Sequence, residues 1–128
     1  MIGIDEIIKE KYTASLMSNA KWRKLLTVLN ELQIPVSFAF IDTEKFSDLE
    51  HHDLSFVDDY ITDCTAHGSF SFKEIYAVRL RENEVLRKIS GERYIDNTKS
   101  RLLLEKLNKM GKFPIKTEGD FVYITAYQ

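Results

Sequence analysis

Apolar positions along the chain change their period several times, and each change marks an element. Ile4, Ile7, Ile8, Tyr12 and Leu16 recur at helical spacing with Lys9, Glu10 and Lys11 between them, which predicts a first amphipathic helix. Asp5 and Glu6 stand near its start, where negative charge suits the helix dipole. A second helix is expected from Ser18 or Asn19, either of which is suited to cap free backbone N–H groups. Trp22, Leu25, Leu26, Leu29 and Leu32 form its apolar stripe, and Lys21, Arg23 and Lys24 face water. Pro35 closes this helix, because proline lacks a backbone donor and disfavours helix in the residue before it. The period then drops to two: Val36, Phe38 and Phe40 share one face of a predicted strand.

Residues 43–55 read as a long polar connection with room for one helical turn. Residues 56–65 alternate around Tyr60 and Ile61 as a strand, Ala66-His67-Gly68-Ser69 is a turn, and residues 70–80 are the next strand. These two strands are expected to form an antiparallel hairpin. Residues 81–93 are compatible with strand, loop or short helix, and Gly91 breaks them. A third helix is predicted from Asp96 or Thr98 to Met110, with Leu103, Leu104, Leu107 and Met110 together and Gly111 as a left-handed C′ residue. Strands on either side of Glu118-Gly119-Asp120 complete the chain. The order α-α-β-β-β-α-β-β describes one α+β domain over residues 1–128, a mainly antiparallel sheet of about five strands packed on two to three helices. Its expected core is Trp22, Leu25, Leu29, Phe38, Phe40, Ile75, Leu103, Leu107 and Tyr123, with Val122 or Ile124. The last strand is apolar on both faces, which suits a central position.

Composition adds bounds. The chain has 128 residues, 44% hydrophobic and 30% charged, with eight Phe, six Tyr and one Trp, enough for one well-packed core. The pI near 5.9 argues against general nucleic-acid binding. Cys64 is the single cysteine, so neither an internal disulfide nor a zinc site built on several thiolates is available, which fits a reducing compartment. Asp5 and Glu6 interrupt any secretory signal, and no apolar run has the length of a membrane span. The expected location is the cytoplasm.

Charge patterning changes the picture most. Residues 42–63 hold Asp42, Glu44, Asp48, Glu50, Asp53, Asp58, Asp59 and Asp63, with Lys45 as the only base. Eight acids against one base make a formal −7 in a chain of −2, leaving +5 elsewhere. Such a run predicts an acidic face suited to a basic partner. Within it, Glu50-His51-His52-Asp53, with Asp48 nearby and His67 on the following turn, is a possible metal cluster. Adjacent histidines diverge in regular structure, however, and no HxH, HxxxH or HExxH spacing occurs. The expectation is therefore no tight metal and no cofactor. Asp58, Asp59 and Asp63 lack the paired environments that acid–base hydrolysis needs. Cys64 with His67 is a nominal thiol–imidazole pair, and cysteine in this setting is more often a small packed residue. Lys99, Arg101, Lys106 and Lys109, extended by Lys112 and Lys116, read as a solvated basic face without an RNA-binding motif.

Three pieces resemble an uncharacterised family of short bacterial proteins. They are Asn19-Ala20-Lys21-Trp22-Arg23-Lys24-Leu25, Phe72-Lys73-Glu74-Ile75-Tyr76-Ala77-Val78-Arg79-Leu80, and Met110-Gly111-Lys112-Phe113-Pro114-Ile115 followed by Phe121-Val122-Tyr123-Ile124-Thr125-Ala126-Tyr127. The resemblance covers about residues 19–127. Where the family pattern carries Trp in the middle strand, this chain has Tyr76 and Ala77. All three pieces are structural, so the resemblance transfers no active-site residue. At the level of role, such proteins are similar to immunity proteins of contact-dependent inhibition systems. The expected function is neutralisation of a basic toxin, a nuclease, by the acidic face, without catalysis, direct nucleic-acid contact or membrane contact. The rival expectations are a metal-binding protein or enzyme using His51, His52 and Asp53, and a non-enzymatic adaptor.

Overall fold

In chain order the elements are α1 (Ile4–Lys11), α2 (Asn19–Leu32), β1 (Ser37–Phe40), β2 (Phe56–Val57), β3 (Tyr60–Ile61) and β4 (Phe70–Ser71). A 3-10 turn (Phe72–Glu74) follows, then β5 (Ile75–Arg81), β6 (Glu84–Arg87), β7 (Arg93–Asp96), α3 (Thr98–Met110), β8 (Ile115–Glu118) and β9 (Phe121–Thr125). The computed structural model describes residues 3–62 and 64–128, so Asp63 lies outside the described residues. The fold is α+β, with all strand pairs antiparallel.

Alternation along the strands builds the central sheet, in the order β1-β5-β9-β8. Phe38 lies opposite Val78, Val78 opposite Ile124 and Leu80 opposite Val122. These residues join Trp22, Leu25, Leu26 and Leu29 of α2 and Leu103 and Leu107 of α3 in one buried cluster. β9 lies between β5 and β8, the central position its two apolar faces predict. The next residues along each strand point the other way. Ser37, Arg79, Tyr123 and Lys116 therefore form one row across the outer face. Tyr123 belongs to this row and is only half-buried, as is Phe40, so neither is the fully buried core residue the periodicity suggested. A small sheet, β2-β3-β4, and a separate β6-β7 ribbon complete the strands.

Local chemistry sets the helix ends. The Ser18 hydroxyl accepts the Lys21 N–H at 3.1 Å and caps α2. Gln33 ends α2 with φ 53 and lets the chain reverse before Pro35. α1 stops at Lys11, earlier than its apolar stripe implies. The C-terminal segment captures the N–H groups that would have continued it: Thr13 and Ala14 donate to the Gln128 carbonyl at 2.7 and 3.1 Å, and Leu16 to that of Ala126 at 2.7 Å. Tyr12 instead stacks on Tyr127, with ring centroids 4.7 Å apart. α3 covers the predicted span and ends at Gly111, whose φ of 145 and ψ of −160 are glycine geometry but outside the left-handed helical region.

Three segments depart from the expected pattern. Residues 56–65 are not one strand, because the chain folds back at Asp58, which adopts φ 55 between β2 and β3. β3 does pair with β4, but residues 70–80 are also interrupted. The Glu74 carboxylate accepts from the Ser71 N–H at 2.6 Å and its hydroxyl at 3.1 Å, winding the 3-10 turn. β5 is thereby freed to pair with β1 and β9. Of residues 81–93, Arg81 ends β5 and the part from Glu84 onward forms the β6-β7 ribbon, which reverses around Gly91 at φ 88.

Candidate acidic docking surface

The acidic run begins where β1 ends. No helix forms in residues 42–55, and the one turn there leads off β1, closed by the Glu44 N–H on the Phe40 carbonyl at 2.8 Å. These residues return antiparallel along the outer edge of β1, with bridges from Phe46 to Ala39 and from His51 to Val36. The Val36–His51 pair exchanges two hydrogen bonds of 2.9 and 2.8 Å, and Ser47 donates to the Phe38 carbonyl at 3.2 Å. An exposed strand edge is thus covered by an irregular, charged segment, a recurring defence against unwanted strand pairing. Phe46, His51 and Leu54 turn inward while Asp42, Asp48, Glu50 and Asp53 face solvent.

The segment is fastened to α2 by three polar side chains. Asn30 donates its amide to the Leu54 carbonyl and accepts the Leu54 N–H, each at 2.7 Å. Gln33 donates to the Asp53 carboxylate at 2.6 Å. Arg23 donates to the Asp58 carbonyl at 3.1 Å. Arg23 and Gln33 are ten residues apart on the helix, roughly 15 Å along its axis. Asp53 and Asp58 therefore lie beside α2, whereas Glu44 lies against Lys11 and Tyr12 at the end of α1 and Glu50 against Arg81 of β5, so the acids do not form one compact patch. Sequence periodicity missed these fasteners, although Asn30, a polar residue beside the apolar stripe, is the visible signal for one.

Each acid has a distinct setting. Glu44 accepts from the Tyr12 hydroxyl and lies 3.8 Å from Lys11. Burial, followed by that hydrogen bond and the Glu44 charge, raises the Tyr12 pKa well above the ordinary tyrosine value. Glu50 pairs with Arg81 at 2.8 Å. Asp53 has Gln33 and, at 3.1 Å, His52. Asp42 accepts its neighbour's N–H from Thr43 at 2.9 Å. Asp42, Asp48, Asp58 and Asp59 have no Lys or Arg partner among the described residues. Glu44, Asp53 and Asp58 hold positive φ of 58, 55 and 55, a conformation Asp tolerates better than most residues. Part of the acidic run is thus turn chemistry.

The histidines diverge as their adjacency predicts. His52 faces solvent beside Asp53. His51 turns inward, 5.5 Å from the ring of His67 and 6.4 Å from that of Phe38. Its Nε2 is buried without a partner, and burial, then the His67 charge, lowers its pKa below the ordinary histidine value. Among the described residues no three His, Cys, Asp or Glu side chains converge in metal-holding geometry. Cys64 contacts the Ser55 backbone, accepting its N–H at 3.3 Å. On the basic face, Lys99, Lys106 and Lys116 lie 3.7, 3.5 and 3.3 Å from Glu84, Glu31 and Glu118. No described helix is long and apolar enough to cross a membrane.

No curated protein and no solved structure matches the chain. A family model does match, over residues 4–128, and so takes in α1 as well as the region from α2 onward that the sequence motifs covered. The chain therefore belongs to DUF6678, a family of unknown function.

Proposed function

We propose that this protein is an immunity protein, which binds and neutralises a cognate bacterial toxin, a basic nuclease, through the acidic surface of residues 42–63. The observation that carries the reading is the set of carboxylates at Asp42, Asp48 and Asp58, exposed, and Asp59, half-buried, with no basic partner among the described residues. An acidic surface held on a fixed frame steers a basic partner and occupies a phosphate-binding groove by charge mimicry. Asp63 extends the same run in sequence. The protein acts in the cytoplasm by binding alone, without cofactor, nucleic-acid contact or membrane contact. Co-expression with a toxin domain recovered as its partner by pull-down tests this. The expected result is rescue of growth and a stable complex of the two proteins. Death of the cells with the folded protein present contradicts it.

A further inference from the structure

The outer face of the central sheet carries an arginine with no acid to answer it. Arg79 is half-buried, its guanidinium carbon 4.7 Å from the ring centre of Phe46 and 4.3 Å from that of Phe121. Its Nε is shut from solvent without a hydrogen-bond partner. Phe46 comes from the segment that covers the β1 edge, so the fold recruits a ring from outside the sheet to hold this side chain. Its neighbours are already committed. Arg81, 5.7 Å from the Phe121 ring centre, gives its Nε to Glu50 at 2.8 Å, and Lys116 lies 3.3 Å from Glu118. Among the described residues Arg79 therefore has no carboxylate partner, and two aromatic rings hold its guanidinium in place.

We propose that Arg79 anchors a binding site for a phosphate monoester, a ligand independent of the proposed toxin interface. The strand register places Tyr123 beside Arg79 and Lys116 beyond it. Arg81 and Lys116 keep N–H donors to spare after pairing with one carboxylate each. A tetrahedral phosphate draws donors from several directions, whereas a planar carboxylate is satisfied by a single fork. A cleft of about 230 Å³ opens beside this row, next to Arg79 and not lined by it; Phe46, Tyr76, Tyr123 and Thr125 wall it, together with the paired Lys116 and Glu118. Its aromatic walls suit a flat group attached to the phosphate. The acidic chain as a whole, with a pI near 5.9, repels a long polyanion but leaves a single phosphate to the local cations.

Nuclear magnetic resonance of the intact protein tests the site at constant ionic strength. The probes are inorganic phosphate, adenosine monophosphate, acetate and a single-stranded oligonucleotide. Phosphate and the mononucleotide are expected to shift the Arg79 Nε–H resonance saturably, the mononucleotide at lower concentration. Arg79→Gln is expected to weaken binding about tenfold, the worth of one charge-assisted hydrogen bond, Arg79→Lys less, and the distant Lys106→Gln not at all. An unmoved Arg79 resonance overturns the site, and so does undiminished binding by folded Arg79→Gln. An equal response to acetate, or tighter oligonucleotide binding with a steep salt dependence, overturns the phosphate assignment. Should Arg79→Gln fail to fold, the Arg79 resonance of the unaltered protein decides.

Discussion

Trp22 shows how one residue ties the sequence pattern to stability. It is 2% exposed, and its ring lies 6.2 Å from that of Phe72. Trp22→Ala removes the buried ring and leaves a cavity that the surrounding sheet and helices only partly fill. The expected cost is about 3–5 kcal/mol, read by chemical denaturation. Loss of partner binding with an unchanged melting temperature would instead make Trp22 a contact residue. His51 supplies a second residue-scale test. Its folded pKa lies below the usual value because burial, then His67, disfavours the cation. In the unfolded chain it titrates near its ordinary value, about 6.5. Between those two pKa values the unfolded state binds more protons, so stability is full above about pH 6.5 and declines as pH falls. Thermal melts between about pH 7.5 and 5.5 should show that decline, and His51→Phe should flatten it. An identical acid limb in the variant rules His51 out as its source.

At the scale of elements, the acidic segment depends on α2 more than on its own hydrogen bonding. Asn30→Ala removes both bonds to Leu54, whose side chain is buried, at an expected cost of about 1–3 kcal/mol for stranded polar groups. Amide exchange at Leu54 and its neighbours should then quicken more than exchange in β5 and β9. Uniform acceleration across the molecule would show that Asn30 supports the core and not the segment. Legibility in the sequence divides along the same line. α2, α3, β1 and β9 were readable because each shows one clean period and a recognisable end. The β6-β7 ribbon was not. Val85 and Ile95 pair with each other yet stay 66 and 70% exposed, so no buried face imposes an alternation. The breaks at Asp58 and Ser71 escaped periodicity because carboxylate hydrogen bonds and backbone dihedrals made them, not hydrophobic burial.

The whole molecule places its charges with less symmetry than the sequence implied. The contiguous acidic run is spread over several elements, with Asp53 and Asp58 beside α2 and with Glu44 and Glu50 already answered by Lys11 and Arg81. Asp42, Asp48, Glu50, Asp53 and Asp58 are exposed and Glu44 and Asp59 half-buried, and the division into paired and unpaired members was not legible, because the partners come from α1 and β5, remote in sequence. Neutralising the unpaired members should leave the fold nearly untouched. Asp42→Asn, Asp48→Asn and Asp58→Asn are surface changes, each expected within about 0.5 kcal/mol, Asp59→Asn alters a half-buried residue without changing its size, and Asn tolerates the positive φ at Asp58. Stopped-flow association of this fourfold variant with the basic toxin domain proposed as its partner, across a salt series, tests the central claim most directly. The account predicts a slower on-rate than wild type and a flatter dependence on ionic strength. An on-rate and salt dependence equal to those of the wild-type protein would contradict it.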